Sequence, residues 1–288
     1  MLKFLIISRS QPGQTRERFF YEWAFIHVSL MLHTPPSMRR FRRYVQHFAN
    51  PDIGDGYRVL PAPSMAWESY AEHWIERFDP TVSGPEYTEQ MQPHKFSDSA
   101  MEIVYVEGEP VWSRPGFRSG GIKVIHRLAR RADLDEASFQ RAWREQHLPL
   151  LLAQLRDRGL RKVEINLPHR FDADSFHASR RGTLFEKADI DPAAGFEELW
   201  FDSLEDALRL GTDRALHDTL RASYESFCDL SRCYSMIANE RVVYDYVSET
   251  ERSPLSTQRP PSPPHPPHWS AQQPPDLSSS PPGQDSPA

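Results

Sequence analysis

The chain has 288 residues, enough for one large domain or two modest ones, and is 39% hydrophobic and 11% aromatic. A formal charge of -6 gives no electrostatic footprint for nucleic acid. No segment approaches membrane-spanning length, and the N-terminal apolar run is too short for a signal peptide, so the expected partner is neither nucleic acid nor membrane and the expected location is the cytoplasm.

In chain order, LKFLIIS (Leu2 to Ser8) alternates as a strand does, and a helix is expected over Thr15 to Leu32, with Thr15 and Glu17 at its start. Next come strands near Arg40 to Phe48 and Ser64 to Tyr70, a helix near Pro85 to Gln92 and a strand near Met101 to Val106. Further strands fall near Ile122 to Ala129, Leu160 to Leu167, Phe196 to Phe201 and Tyr234 to Tyr246. Two helices lie between them: Asp135 to Arg158, begun by acidic residues and stopped by Gly159, and Thr212 to Asp229. Glu251 to Ala288 holds 12 of the 26 prolines and almost no aliphatic side chains, so it is expected to be disordered with polyproline II character and is a candidate protein-docking segment.

The same order of elements occurs twice. IKVIHRL (Ile122 to Leu128) matches LKFLIIS at a displacement of 120, lysine on lysine at Lys3 and Lys123. VEGEPVW (Val106 to Trp112) matches IANERVV (Ile237 to Val243) at 131, pairing Glu109 with Glu240. The difference of 11 falls in the turn-rich segment from Pro168 to Gly195. We therefore expect an α+β chain of two tandem ferredoxin-like βαββαβ repeats, 1–115 and 116–248, with the tail 249–288 behind them. Each unit leaves one face of its sheet bare, and laying the two faces together makes an internal α+β barrel, a monomeric pseudo-dimer or a homodimer of it.

FFYEWAFIHVSL (Phe19 to Leu30) and FQRAWREQHLPL (Phe139 to Leu150) share four identities: Phe19 and Phe139, Trp23 and Trp143, His27 and His147, Leu30 and Leu150. On a regular helix these positions fall within an arc of roughly 80°, the face that meets the sheet. Packing accounts for Phe, Trp and Leu. A histidine four residues below a tryptophan in both halves is a candidate proton carrier. Pro149 is expected to kink the second helix beside His147.

F-x-x-x-W-x-x-x-H after an opening strand, with a second strand of the type RRYVQH (Arg42 to His47), resembles the EthD family of dimeric α+β barrel proteins in both halves. The resemblance implies the barrel and one cleft per half between helix and sheet. It implies an enzyme of oxidoreductase, monooxygenase, cyclase or dehydratase type, and marks Trp23, His27, Trp143 and His147 without fixing their roles.

His47 and Asn166, near the ends of the second strands, and His126, where the other half has Ile6, are candidates to reach the clefts. Tyr70, with Trp67 and Glu68, is a candidate to line a planar substrate, with Phe201 in the matching place. Glu109 and Glu240 are expected to pair with neighbouring arginines. The short basic clusters MRRFRRY (Met38 to Tyr44) and RLARR (Arg127 to Arg131) read as solvated edges or anion contacts. Cys228 and Cys233, five apart in an expected helix, suit neither a disulfide nor a zinc pair.

There is no phosphate loop, G-x-S-x-G elbow or H-E-x-x-H motif, and no metal site is expected. The resulting expectation is a cofactor-independent enzyme acting on a small aromatic or polyketide-like substrate, with His27 and His147 as acid or base and Trp23, Trp143, His47, Asn166, Tyr70 and His126 around the substrate. Haem binding through a histidine, or a non-catalytic carrier or assembly role, are the alternatives.

Overall fold

A computed structural model describes residues 1–33, 40–79, 97–190 and 193–247. The expected helix at Pro85 to Gln92 and the proline-rich tail lie outside the described residues. Eight strands, β1 (Leu2–Ser8), β2 (Phe41–Ala49), β3 (Ser69–Ile75), β4 (Glu102–Ser113), β5 (Gly121–Leu128), β6 (Leu160–Pro168), β7 (Gly195–Phe201) and β8 (Tyr234–Asp245), close a barrel. Their order is β1-β3-β2-β8-β5-β7-β6-β4, and every neighbouring pair is antiparallel. The first four strands contribute β4-β1-β3-β2 and the last four β8-β5-β7-β6, with seams at β2–β8 and β4–β6.

The third strand does not run over Ser64 to Tyr70. That stretch begins in a turn, where Ala66 has φ of 49°, and β3 starts five residues later than expected, at Ser69. Its residues Glu72 and His73 obscure the strand in the sequence, because both are polar and both are buried. The register also corrects two pairings of positions. Lys3 lies opposite Trp74 and Lys123 opposite Trp200, so Tyr70 corresponds to Phe196, not Phe201. By the same register Val106 is opposite Lys3 and Ala238 opposite Lys123, which matches Glu240 to Gly108 rather than Glu109.

Each long amphipathic helix is interrupted at the same place. In the first half α1 (Arg16–Tyr21) runs into a π-helical turn, Glu22–His27, and then α2 (Val28–His33). In the second half α3 (Glu136–Arg141), the π-helical turn Ala142–His147 and α4 (Leu148–Leu155) repeat the arrangement. Thr15 and Asp135 cap the two starts, accepting from the N–H groups of Arg18 and Ser138 at 3.2 and 2.7 Å. A π turn holds one residue more than an α turn and so rotates the next turns of the helix about its axis. Val28, Met31, Leu148 and Leu151 are therefore buried, whereas the shared Leu30 and Leu150 are only half-buried. Pro149 is not the cause of the interruption, since the first half has Ser29 there and the same π turn.

The segment between β6 and β7 is more than a loop: it carries α5 (Ala173–Ser179) and a 3₁₀ turn, Leu184–Lys187. Phe176, Leu184, Phe185 and Ala188 from it pack with Phe4, Phe19 and Trp23 of the first half. In return Val59 and Leu60, between β2 and β3, pack with the second half's Trp143, Leu210 and Phe201. A helix not expected from the sequence, α6 (Leu204–Thr212), precedes α7 (Arg214–Glu225), which lies within the expected span Thr212 to Asp229. They part at Asp213, whose carboxylate accepts from the Leu216 N–H at 3.1 Å. No helix among the described residues is long and apolar enough to cross a membrane.

Candidate functional site

Side chains alternate along each strand, one set toward the helices and one toward the barrel interior. Among the described residues, this alternation gathers polar side chains into buried clusters, and three of them hold the candidate residues: two between helix and sheet and one inside the barrel.

The first lies between the helix and sheet of the first half. Trp23 and His27 come from the π turn, Tyr44 from β2 and His73 from β3. Trp23 Nε1–H donates to the Tyr44 hydroxyl oxygen at 2.9 Å, and Gln46 Nε2–H donates to the same oxygen at 2.9 Å and to the Trp23 carbonyl at 3.0 Å. With both lone pairs used, the Tyr44 O–H remains as a donor. Burial raises the Tyr44 pKa well above that of an ordinary phenol, so the proton stays on. His73 stacks on Tyr44 with ring centroids 4.6 Å apart and an interplanar angle of 13°. Its Nδ1 faces the Phe4 carbonyl at 3.3 Å, while Nε2 has no hydrogen-bond partner among the described residues. Burial, and next the proximity of His27, lower the His73 pKa to about 3, so the ring is neutral. His27 meets Tyr44 edge-on, with centroids 6.4 Å apart. These groups line a cavity of about 20 Å³ together with Ser69, Ala71 and, from the second half, Phe185. That is room for one water-sized group.

In the second half the corresponding space is filled. Where the first half has Ala71, β7 has Glu197, which is fully buried. Trp143 Nε1–H donates to Glu197 Oε2 at 2.9 Å, the Tyr224 hydroxyl donates to Oε1, and His126 Nδ1 lies 3.3 Å from Oε1 and 2.7 Å from the Tyr224 oxygen. His147 places Nε2 3.5 Å from Glu197 Oε2 and Nδ1 2.9 Å from Ser223 Oγ, with its ring packed on Tyr224 and Phe227. Burial opposes charge on Glu197, but His147 and His126 outweigh it and hold the carboxyl well below its usual range.

The third cluster is inside the barrel. Lys3 and Lys123 point inward from equivalent positions of β1 and β5, both essentially unexposed. Lys123 Nζ lies 2.5 Å from Glu72, 2.8 Å from Glu198, 3.0 Å from His47 Nε2 and 3.5 Å from Glu240. Lys3 bonds Glu164 and lies 3.4 Å from both Glu72 and Glu198. Burial pushes the Glu164 carboxyl up, but Lys3 and Lys162 outweigh it and hold the pKa at about 2. Tyr70 donates to Glu198 at 2.8 Å, and His47 Nδ1 to the Tyr70 carbonyl at 2.8 Å. The cage is not symmetric. Gly108 stands where β8 has Glu240, and a Cβ there would meet Glu164 Oε1 at 2.9 Å, so Glu164 supplies the missing carboxylate from β6. Donor atoms of His47, Glu72 and Glu240 lie within 4.8 Å of one another, as metal ligands would. The cation among them is the Lys123 ammonium itself.

The residues expected around one type of cleft thus separate. Trp23 and His27 share the first cleft; Trp143, His147 and His126 share the second; His47, Asn166 and Tyr70 face the interior. The Asn166 amide is fully buried with no hydrogen-bond partner among the described residues. Glu109 pairs with Arg144 at 2.6 Å as expected, but Glu240 is buried against Lys123, His47 and the Trp200 Nε1–H, not against an arginine. Sequence reasoning missed Tyr44, Gln46, His73, Glu197 and Tyr224. It noted Lys3 and Lys123 only as a repeat, although a lysine repeated inside an apolar strand marks a buried charge.

Haem does not fit either histidine. His27 faces space for one small group, and His147 is enclosed by Glu197, Ser223, Tyr224 and Phe227.

The EthD domain family model matches residues 131–231, which span the second π turn and its histidine. No curated protein matches the chain. Among solved structures, a chlorite dismutase from Candidatus Nitrospira defluvii, in complex with imidazole, is 10% identical over 83% of this chain and 90% of its own, with a TM-score of 0.44. A protein from Lactobacillus acidophilus NCFM, provisionally named a monooxygenase, is 7% identical over 83% of this chain and 93% of its own, with a TM-score of 0.42.

Proposed function

We propose that this chain, with its EthD domain at 131–231, is a barrel of two EthD-like halves in which the first half carries out cofactor-independent proton transfer and the second is structural. The observation that carries the reading is the contrast between equivalent positions: Ala71 leaves a cavity beside Tyr44, His73 and His27, where Glu197 fills it in the other half.

A group in that cavity meets a donor, the Tyr44 O–H, and an acceptor, His73 Nε2. That pair complements a hydroxyl, which accepts from one and donates to the other. About 20 Å³ admits such a group and excludes a ring, so the rest of a phenolic or enolic substrate stays outside the cavity. His27 is the proton carrier: with a ketone oxygen held by Tyr44, it takes the proton from the adjacent carbon. The enolate charge is held by the Tyr44 O–H in a site without bulk water. An enol formed in this way is the common starting point for cyclisation, dehydration or reaction with O₂, the reaction types that the sequence resemblance implies.

The test uses benzoylacetone, an aromatic β-diketone. Exchange of its C–H protons with D₂O, monitored by NMR, is expected to run faster with protein than in buffer. Removing the single donor in Tyr44→Phe lowers the accelerated rate by at least about tenfold, and His27→Gln removes the acceleration. Acceleration that survives both substitutions in folded protein rejects the reading.

A further inference from the structure

Cys228 and Cys233 do not share a helix, contrary to the expectation that set a disulfide aside: α7 ends at Glu225, and the four residues between the cysteines turn back on themselves. Cys228 N–H donates to the Tyr224 carbonyl at 2.7 Å at the end of α7. Arg232 N–H then donates to the Asp229 carbonyl at 3.0 Å, and Cys233 N–H to the Leu230 carbonyl at 3.3 Å. Both cysteines therefore arrive against one short stretch of chain. Cys228 forms an isolated antiparallel bridge with Arg130, and Cys233 Sγ accepts from the Ala129 N–H at 3.2 Å. The Cys233 S–H in turn reaches the Ala129 carbonyl at 3.8 Å, so the two cysteines flank adjacent residues, one bridged to Arg130 and the other bonded to Ala129. Each residue is nearly buried, 3% and 4% exposed, but Cys228 forms part of the wall of an open groove of about 580 Å³ with Arg131, Arg221 and Asp229. Neither sulfur belongs to the proton-transfer site.

We propose that Cys228 and Cys233 are a peroxide-sensitive dithiol that closes to an intrachain disulfide. Cys233 is the sulfur that reacts first with the oxidant, because the Ala129 N–H, 3.2 Å from its sulfur, is placed to hold the thiolate. Burial raises the pKa of Cys228, which keeps its proton until the sulfenic acid has formed. The Cys233 thiolate attacks one oxygen of the peroxide and the O–O bond breaks. Cys233 becomes a sulfenic acid, and the departing hydroxide takes up a proton as water. The Cys228 sulfur then attacks the sulfenic sulfur; the S–S bond forms as the S–O bond breaks, and the second hydroxide leaves as water with the Cys228 proton. Two thiols and one hydrogen peroxide give one disulfide and two waters, the sulfurs losing the two electrons that the oxygens gain. An oxidant as small as hydrogen peroxide suits thiols this little exposed.

Trypsin distinguishes the outcomes, since cleavage after Arg232 separates the two cysteines. The full chain is treated with hydrogen peroxide, alkylated under denaturing conditions and digested without reductant. The expected product is residues 222–232 linked to 233–241, released by dithiothreitol, with the intact chain lighter by about 2 Da and both titratable thiols lost. Cys228→Ser is expected to accumulate a sulfenic acid that dimedone traps at Cys233, while Cys233→Ser leaves Cys228 unmodified at the same dose. The wild-type chain decides the matter even if neither variant folds. Two free thiols after treatment, a disulfide between chains, or independent oxidation of each sulfur to sulfinic acid overturns the proposal.

Discussion

His73 shows how burial changes the chemistry of a single side chain. Its ring is stacked on Tyr44 and held neutral, with a pKa lowered to about 3 by burial and by His27. In the unfolded chain a histidine titrates near 6.5. Between these values the unfolded state binds a proton that the folded state refuses, so the contribution of His73 is complete above about pH 6.5 and is lost as pH falls toward 3. Relative to His73→Phe, which keeps the stacked ring and cannot titrate, the native chain should lose about 2 kcal/mol of unfolding free energy between pH 6.5 and 4.5. Urea titrations of both proteins across that range measure the difference. Parallel curves would show that the folded state accepts the proton.

The paired helices are defined by where they cease to be α-helical. Both π turns end at the shared histidine, and both present the shared tryptophan to a polar group on the sheet: a hydroxyl at Tyr44 in one half, a carboxylate at Glu197 in the other. The second helix approaches β7 closely enough that only glycine fits at its start. A Cβ on Gly195 would lie 2.6 Å from the Trp143 ring and 3.2 Å from the Asn166 carbonyl. Gly195→Ala should therefore displace Trp143 from Glu197 and destabilise by about 1–3 kcal/mol, whereas Gly54→Ala, with nothing within 4 Å, should be near neutral. Thermal unfolding of the two variants provides the comparison; equal midpoints would mean that helix and strand separate at no cost.

The barrel as a unit is closed around charge. Lys123 on β5 meets carboxylates from β3, β7 and β8, strands that belong to both halves and flank the β2–β8 seam. Removing one ammonium leaves buried carboxylates without their counter-charge. Lys123→Met should cost about 3–5 kcal/mol, as for other broken buried ion pairs. Adding Glu72→Gln to Lys123→Met should recover part of that loss, because it removes a carboxylate left unpaired. Denaturant titrations of the single and double variants read both numbers, and a double variant less stable than Lys123→Met would show that Lys123 does not neutralise Glu72.

Much of this architecture is legible in local pattern. Alternation in LKFLIIS and IKVIHRL, the caps at Thr15 and Asp135 and the stop at Gly159 report directly on φ, ψ and period, which neighbouring residues set. The repeated Phe, Trp and His positions located the helix faces for the same reason. The strand that failed, β3, did so because Glu72 and His73 read as solvated residues until the barrel supplies Lys123 and Tyr44 to them. Whether His47 or Tyr44 faced the helices depended on a phase that one residue reverses. That Lys3 meets Glu164, 161 residues away, and that the turn at Asp229 to Arg232 brings both cysteines against Ala129 and Arg130, are results of closure and chain reversal. Periodicity and caps were therefore written in the chain. Which polar groups met, and which cleft kept its space, were decided only when distant strands came into register and left each buried charge the partners within its reach.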